Sequence, residues 1–216
     1  MPVAILLHVG CAYGGDAPPL TVEARILLGN VKGRIDHLAY DAARERLYVA
    51  ELGDDSVGIV DLKKRQLLRT VSGFEEPQGL AYEPTTDSVY VANGGDGSVR
   101  VFRGEDFAPL GRIALRADAD NVRVDAAARR VYVGYGSGAV AVVDAVSRKH
   151  IADIPLKAHP EGFQLEAAGD RIFVNVPDAG IIQVVSRKTN ASIATWSTAT
   201  LRARWTTIRD RPRVDG

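Results

Sequence analysis

Short apolar runs separated by Gly-, Asp- and Asn-containing breaks fill most of this chain, and they recur in register. Leu38–Val49 (LAYDAARERLYV) returns as Leu80–Val91 (LAYEPTTDSVYV), Val122–Val133 (VRVDAAARRVYV) and Phe163–Val174 (FQLEAAGDRIFV), at spacings of 42, 42 and 41 residues. A fixed period of this length marks a repeat architecture built from one supersecondary unit. Within each unit the pattern predicts four short strands. The first is brief and ends on an acid (Asp41, Glu83, Asp125, Glu166), a residue type that accepts backbone N–H groups at the start of a turn. The second is β-branched and aromatic (LYV, VYV, VYV, IFV), suited to burial between neighbours. A Gly/Asp/Asn break then signals a hairpin into a third strand: Val57–Val60, Val99–Phe102, Val140–Val143, Ile182–Val185. A fourth follows at Leu67–Val71, Leu110–Leu115, Ile151–Leu156 and Ser192–Trp196.

Four strands in about 42 residues is the unit of a propeller blade. The expected fold is therefore all-β, a β-propeller of four blades, each of four antiparallel strands. The blades are expected at 33–74, 75–116, 117–157 and 158–198, within a block 33–198.

The same residues carry a family resemblance. LYVA, VYVAN, VYVG and IFVNV are variants of the YVTN repeat, and GRIDHLAYD, EPQGLAY, DADNVR and HPEGF stand at the entries to the four blades. Over Val22–Trp196 the chain resembles an exported YVTN-type propeller of bacteria or archaea. That resemblance implies a ring of about seven blades, of which this chain would hold a part.

The flanks break the period. Residues 16–32 form a leader in which Thr21–Gly29 (TVEARILLG) reads like the outer, ring-closing strand of a blade, without an obvious partner. Residues 199–216 carry an Arg-rich tail with no match to the repeat, as a truncated or frame-shifted end would. An open arc would expose apolar faces and strand edges, which favours self-association.

Residues 1–15 resemble the remnant of a signal peptide. An apolar run, Val3–Val9, precedes the small residues Gly10, Cys11, Ala12, Gly14 and Gly15, and is too short to span a membrane. The expected location is periplasmic or secreted. Lipidation at Cys11 is the lesser reading, because His8 stands where a lipobox wants Leu.

Composition adds constraints and little identity. Hydrophobic residues are 46% and charged residues 25% of 216, as in ordinary globular chains. Lys plus Arg equals Asp plus Glu at 27 each, so the net charge suggests neither nucleic acid nor an anionic membrane as partner. The single cysteine excludes an intrachain disulfide. The Gly-rich runs at 94–97 and 134–138 lie between strands, as hairpin turns do, and not before a helix as phosphate cradles do.

Chemistry is expected at the loops that enter each first strand, which line one mouth of a propeller channel. Those loops supply Asp36 and His37, Gln78, Asp120 and Asn121, and His159 and Glu161. They would bind an unknown small ligand or protein without catalysis, and with no cofactor. The competing reading draws on lactonase-type propellers, which hold a divalent ion at this mouth. It makes Asp36, Asp120 and Glu161 ligands of Ca²⁺ or a similar cation that activates water for hydrolysis. A chain with no independent activity, or an electron-transfer subunit acting with a partner, stands beside these.

Overall fold

In the computed structural model, residues 20–198 are described. The segment 1–15 expected to be a signal-peptide remnant, with Cys11, and the Arg-rich tail 199–216 lie outside the described residues. Sixteen strands follow one another in four antiparallel meanders of four. Blade one holds β1 (Leu38–Asp41), β2 (Arg46–Glu51), β3 (Ser56–Asp61) and β4 (Gln66–Ser72). Blade two holds β5 (Pro77–Glu83), β6 (Ser88–Asn93), β7 (Ser98–Arg103) and β8 (Pro109–Ala114). Blade three holds β9 (Ala119–Asp125), β10 (Arg130–Tyr135), β11 (Ala139–Asp144) and β12 (Lys149–Pro155). Blade four holds β13 (Gly162–Leu165), β14 (Arg171–Val176), β15 (Ile181–Ser186) and β16 (Ala191–Ser197). The four-blade reading matches this arrangement.

The repeat extends to details of register. Every third-to-fourth strand pair carries a register shift at the same place: Ile59/Val60, Val101/Phe102, Val142/Val143 and Val184/Val185. A bulge there increases local twist, which is how a flat meander becomes a propeller blade. The acids ending the first strand work as turn caps. Asp41 accepts the amides of Ala43 and Arg44, Glu83 those of Thr85 and Thr86, and Asp125 that of Ala128. Glu166 departs from this pattern and binds Arg171 through both its main chain and its guanidinium.

Three cores lie between the four blades. Tyr48, Ala50, Val57 and Ile59 of blade one pack on Leu80, Val89, Val91 and Phe102 of blade two. Tyr90, Val99 and Val101 meet Val131, Val133 and Val143 of blade three. Tyr132, Val140 and Val142 meet Ile172, Val174 and Val185 of blade four. Strand alternation explains this: successive residues of one strand serve the cores on its two sides. The repeated tyrosine reaches across each joint. Tyr48 Oη donates to the Gly104 carbonyl at 2.9 Å and Tyr90 Oη to that of Ala145 at 3.3 Å. At the corresponding place in blade four stands Phe173, half-buried and packed on Trp196 with ring centroids 5.6 Å apart. The outward side of blade four therefore keeps the aromatic of the internal blades but not its hydroxyl.

The leader differs from expectation. Thr21–Gly29 forms no strand and pairs with none of the sixteen. Its Leu20, Val22 and Leu27 are exposed. The segment is held by its side chains and by Lys32: Glu23 meets Arg65 at 2.5 Å, and the Lys32 amide donates to Asp54 at 2.9 Å. An outer strand needs an open blade edge beside it, and blade one already has its fourth strand in β4.

Candidate functional site

Because β1, β5, β9 and β13 all run in the same sense, the loops entering them gather at one end of the molecule. The first-strand turns and the third-to-fourth-strand turns gather at the other. The entry loops are stitched together joint by joint. The His37 amide donates to the Gln78 carbonyl at 3.3 Å, linking blades one and two. Blades two and three approach so closely that a Cβ on Gly79 would stand 1.9 Å from the Asp120 carbonyl oxygen. Glycine is needed there for space and not for a left-handed backbone. The Asn121 side-chain amide donates to the Glu161 carbonyl, linking blades three and four.

This rim surrounds a cavity of about 510 Å³ lined by ten residues, among them Asp36, His37, Gln78, Asp120, Asn121 and Glu161. Six of the seven residues expected from sequence thus share one concavity. The seventh does not. His159 turns away from the cavity and donates from Nδ1 to the Gly136 carbonyl at 2.6 Å, with Asp118 3.6 Å off. Its role here is to tie the blade-four entry loop to the preceding hairpin, so it does not face His37 across the mouth. Arg34, Arg123, Gly162 and Asn175 complete the lining. Of these, Arg34 was legible in the entry motif GRID. Arg123 and Asn175 come from within strands, where alternation alone does not say which side faces the channel.

Most polar groups in the mouth are already engaged. Arg34 pairs with Asp36 at 2.9 Å. Arg123 donates to the Val122 carbonyl at 2.8 Å and lies 3.4 Å from the Gln164 side-chain oxygen. Burial pushes its guanidinium down from the ordinary arginine value, while Asp120 pulls it up. The His37 Nδ1 approaches an Asp36 oxygen at 3.1 Å, but the orientation gives no hydrogen bond.

Asp120 is the more deeply buried of the two mouth residues left with an unpartnered atom, the other being His37. Asp120 is 8% exposed, yet its Oδ1 is buried without a hydrogen-bond partner. Its other oxygen lies 3.5 Å from the Asn121 amide, at the limit of a bond. Burial raises the carboxyl above the usual aspartate value; His37 opposes that shift, and Asp36 adds to it. A buried carboxylate oxygen without a donor is costly, and native structures rarely tolerate one except where a ligand or function requires it.

Among the described residues no group of three or more His, Cys, Asp or Glu side chains is placed to hold an ion.

A second cavity of about 430 Å³ lies at the opposite end, between blades three and four, lined by Asp125, Arg130, Tyr132, Asp170 and Arg187 among others. Its arginines are paired with acids, Arg187 with Asp125 and Arg130 with Asp144 at 2.5 Å, and Ser186 donates to Asp170 at 2.8 Å. Its carboxylates thus have partners, which Asp120 Oδ1 at the mouth does not.

No protein-family model matches this chain. No curated protein matches it in sequence. Solved structures do match in fold. Hydrazine synthase of Kuenenia stuttgartiensis superposes with a TM-score of 0.71 at 14% identity, over 82% of this chain and 52% of that one. The chain therefore spans about half the length of that neighbour. At this identity the likeness concerns the propeller-like fold, and function has to be argued from the site.

Proposed function

We propose that this chain is a non-catalytic binding module that receives a small polar ligand in the mouth formed by its four blade-entry loops. The observation that carries this reading is Asp120 Oδ1, a buried carboxylate oxygen without a hydrogen-bond partner on the lining of this cavity. A rim stitched at three joints is pre-organised, which lowers the ordering cost of binding. Small ligands are usually received in largely pre-formed concavities where a few placed polar groups fix their orientation. The resemblance to exported YVTN-type propellers agrees with such a module and supports a periplasmic or secreted location. N-terminal sequencing of the mature protein tests that location, with cleavage near Gly15 the expected result.

The site is tested by titrating the ¹⁵N-labelled protein with a mixture of small amines, polyols and carboxylates. Amide shifts are expected to concentrate at Asp36–His37, Gln78–Gly79, Asp120–Asn121 and Glu161–Gly162. Shifts at the opposite end of the blades, or none at any concentration, would overturn the proposal.

A further inference from the structure

We infer that the mouth selects a ligand carrying a protonated amine, with Asp120 as its counter-ion; this rests on the mouth being the binding site. The inference starts from the donors around Asp120 Oδ1. Arg34 is engaged by Asp36, the Asn121 amide by the Glu161 carbonyl, and Arg123 by the Val122 carbonyl. None of these donors reaches this oxygen, nor does the unpartnered His37 Nδ1, so its partner is left to the ligand. An anionic ligand would bring acceptors and like charge against the Asp120 carboxylate. A neutral hydroxyl would satisfy the geometry and leave the buried charge uncompensated. An ammonium supplies both the hydrogen bond and the charge.

The charge balance of the lining points the same way. Asp36, Asp120 and Glu161 face two guanidiniums, Arg34 and Arg123, with His37 beside Asp36 and Asp118 in the same entry loop as Asp120. Arg34 is largely exposed, while Asp120 is the buried member, so the deepest part of the mouth is the acidic part. The amides of Gln78 and Asn175 and the Glu161 carboxylate lie on the same lining, in position to meet polar substituents on the rest of the ligand. A small organic cation with a neighbouring hydroxyl or amide fits this distribution.

Three two-carbon probes test the inference: ethanolamine, ethylene glycol and glycolate, titrated separately into the ¹⁵N-labelled chain. Ethanolamine is expected to shift the amides of Asp36, Asp120 and Asn121 and to bind about tenfold or more tightly than either of the others, the margin of a charge-assisted bond. Asp120→Asn should weaken ethanolamine by about the same factor and leave ethylene glycol unchanged, whereas Asp118→Asn, which removes an exposed charge nearby, should change little. The selectivity in the unaltered protein stands whether or not Asp120→Asn folds, and circular dichroism reports its folding. Equal or tighter binding of glycol or glycolate at the mouth would overturn the ammonium inference and leave the mouth as a binding site. An equal loss in Asp118→Asn would also overturn it, because general charge would then explain the effect. Failure of all three probes to perturb the mouth would defeat both readings.

Discussion

The two ends of this molecule use the same residue types to opposite effect. At the turn end, carboxylates on the first strands are saturated. Asp41 is fully buried, accepts two amides and receives Arg44, which bridges on to Asp87 at 2.8 Å in the next blade. Those partners hold the Arg44 guanidinium well above its ordinary value, Asp41 contributing most. At the mouth, Asp120 is buried almost as deeply and has an oxygen with no partner. One aspartate closes a turn and staples a joint, while the other is left open towards a cavity. The satisfied carboxylate holds the fold, and the unsatisfied one, on the lining of a cavity, is the basis of the binding proposal.

Breaking the turn end should cost the most. Asp41→Ala removes two amide acceptors and the counter-ion of Arg44, and should destabilise the chain by about 2–4 kcal/mol by urea denaturation. Ethanolamine affinity at the mouth should survive in the folded fraction. If the loss stays within the error of neutral surface changes, the saturated network is not what holds this joint.

The mouth should respond in the reverse direction. Asp120→Asn removes an uncompensated buried charge and is expected to raise stability by about 1–2 kcal/mol while abolishing selective binding. The pH dependence has a defined sign. Because burial raises the folded-state value of Asp120 above the ordinary 3.8, its native state holds the proton more tightly. Its contribution to stability is therefore greatest at acid pH, below the unfolded value, and fades as pH rises through the folded one. Asp120→Asn should flatten that part of the stability profile. An unchanged profile would mean that another group carries it.

The repeated tyrosine gives a finer comparison between blades. Tyr48→Phe removes a donor to the buried Gly104 carbonyl, which also receives Arg46 at 2.6 Å, so the cost should be about 0.5–1 kcal/mol. Phe173→Tyr adds the hydroxyl on the outward side of blade four and should be close to neutral. A gain from that change comparable to the Tyr48 loss would show a partner for this face. The smallest effect belongs to the leader. Glu23→Ala breaks an exposed pair with Arg65 and should shift stability by less than about 0.5 kcal/mol, declining further in salt.

Much of this was readable before any coordinates. The 42-residue period located all sixteen strands, because a blade's alternation and its turn residues are local properties. The entry loops were readable as the site because repeat topology brings equivalent loops to one end, and six of the seven residues named there do share the cavity. His159 was not readable, since its neighbour Gly136 lies 23 residues away and its ring direction depends on that contact. The leader misled for a similar reason: TVEARILLG has strand composition, but a strand also requires an edge to pair with, and the edge lies elsewhere in space.

Local chemistry decided the blades, their order, the acid-capped turns and the polar rim, since each depends on side chains a few residues apart. Tertiary structure decided the state of Asp120. Position along the repeat separates Asp41, which ends a first strand and caps the turn after it, from Asp120, which stands at the entry to one, but it does not say which groups of the neighbouring blades reach Asp120. Asp41 takes its partners from its own turn, the amides of Ala43 and Arg44 and the Arg44 guanidinium, whereas the partners of Asp120 depend on what the neighbouring entry loops bring, and none brings a donor within hydrogen-bond distance of Oδ1.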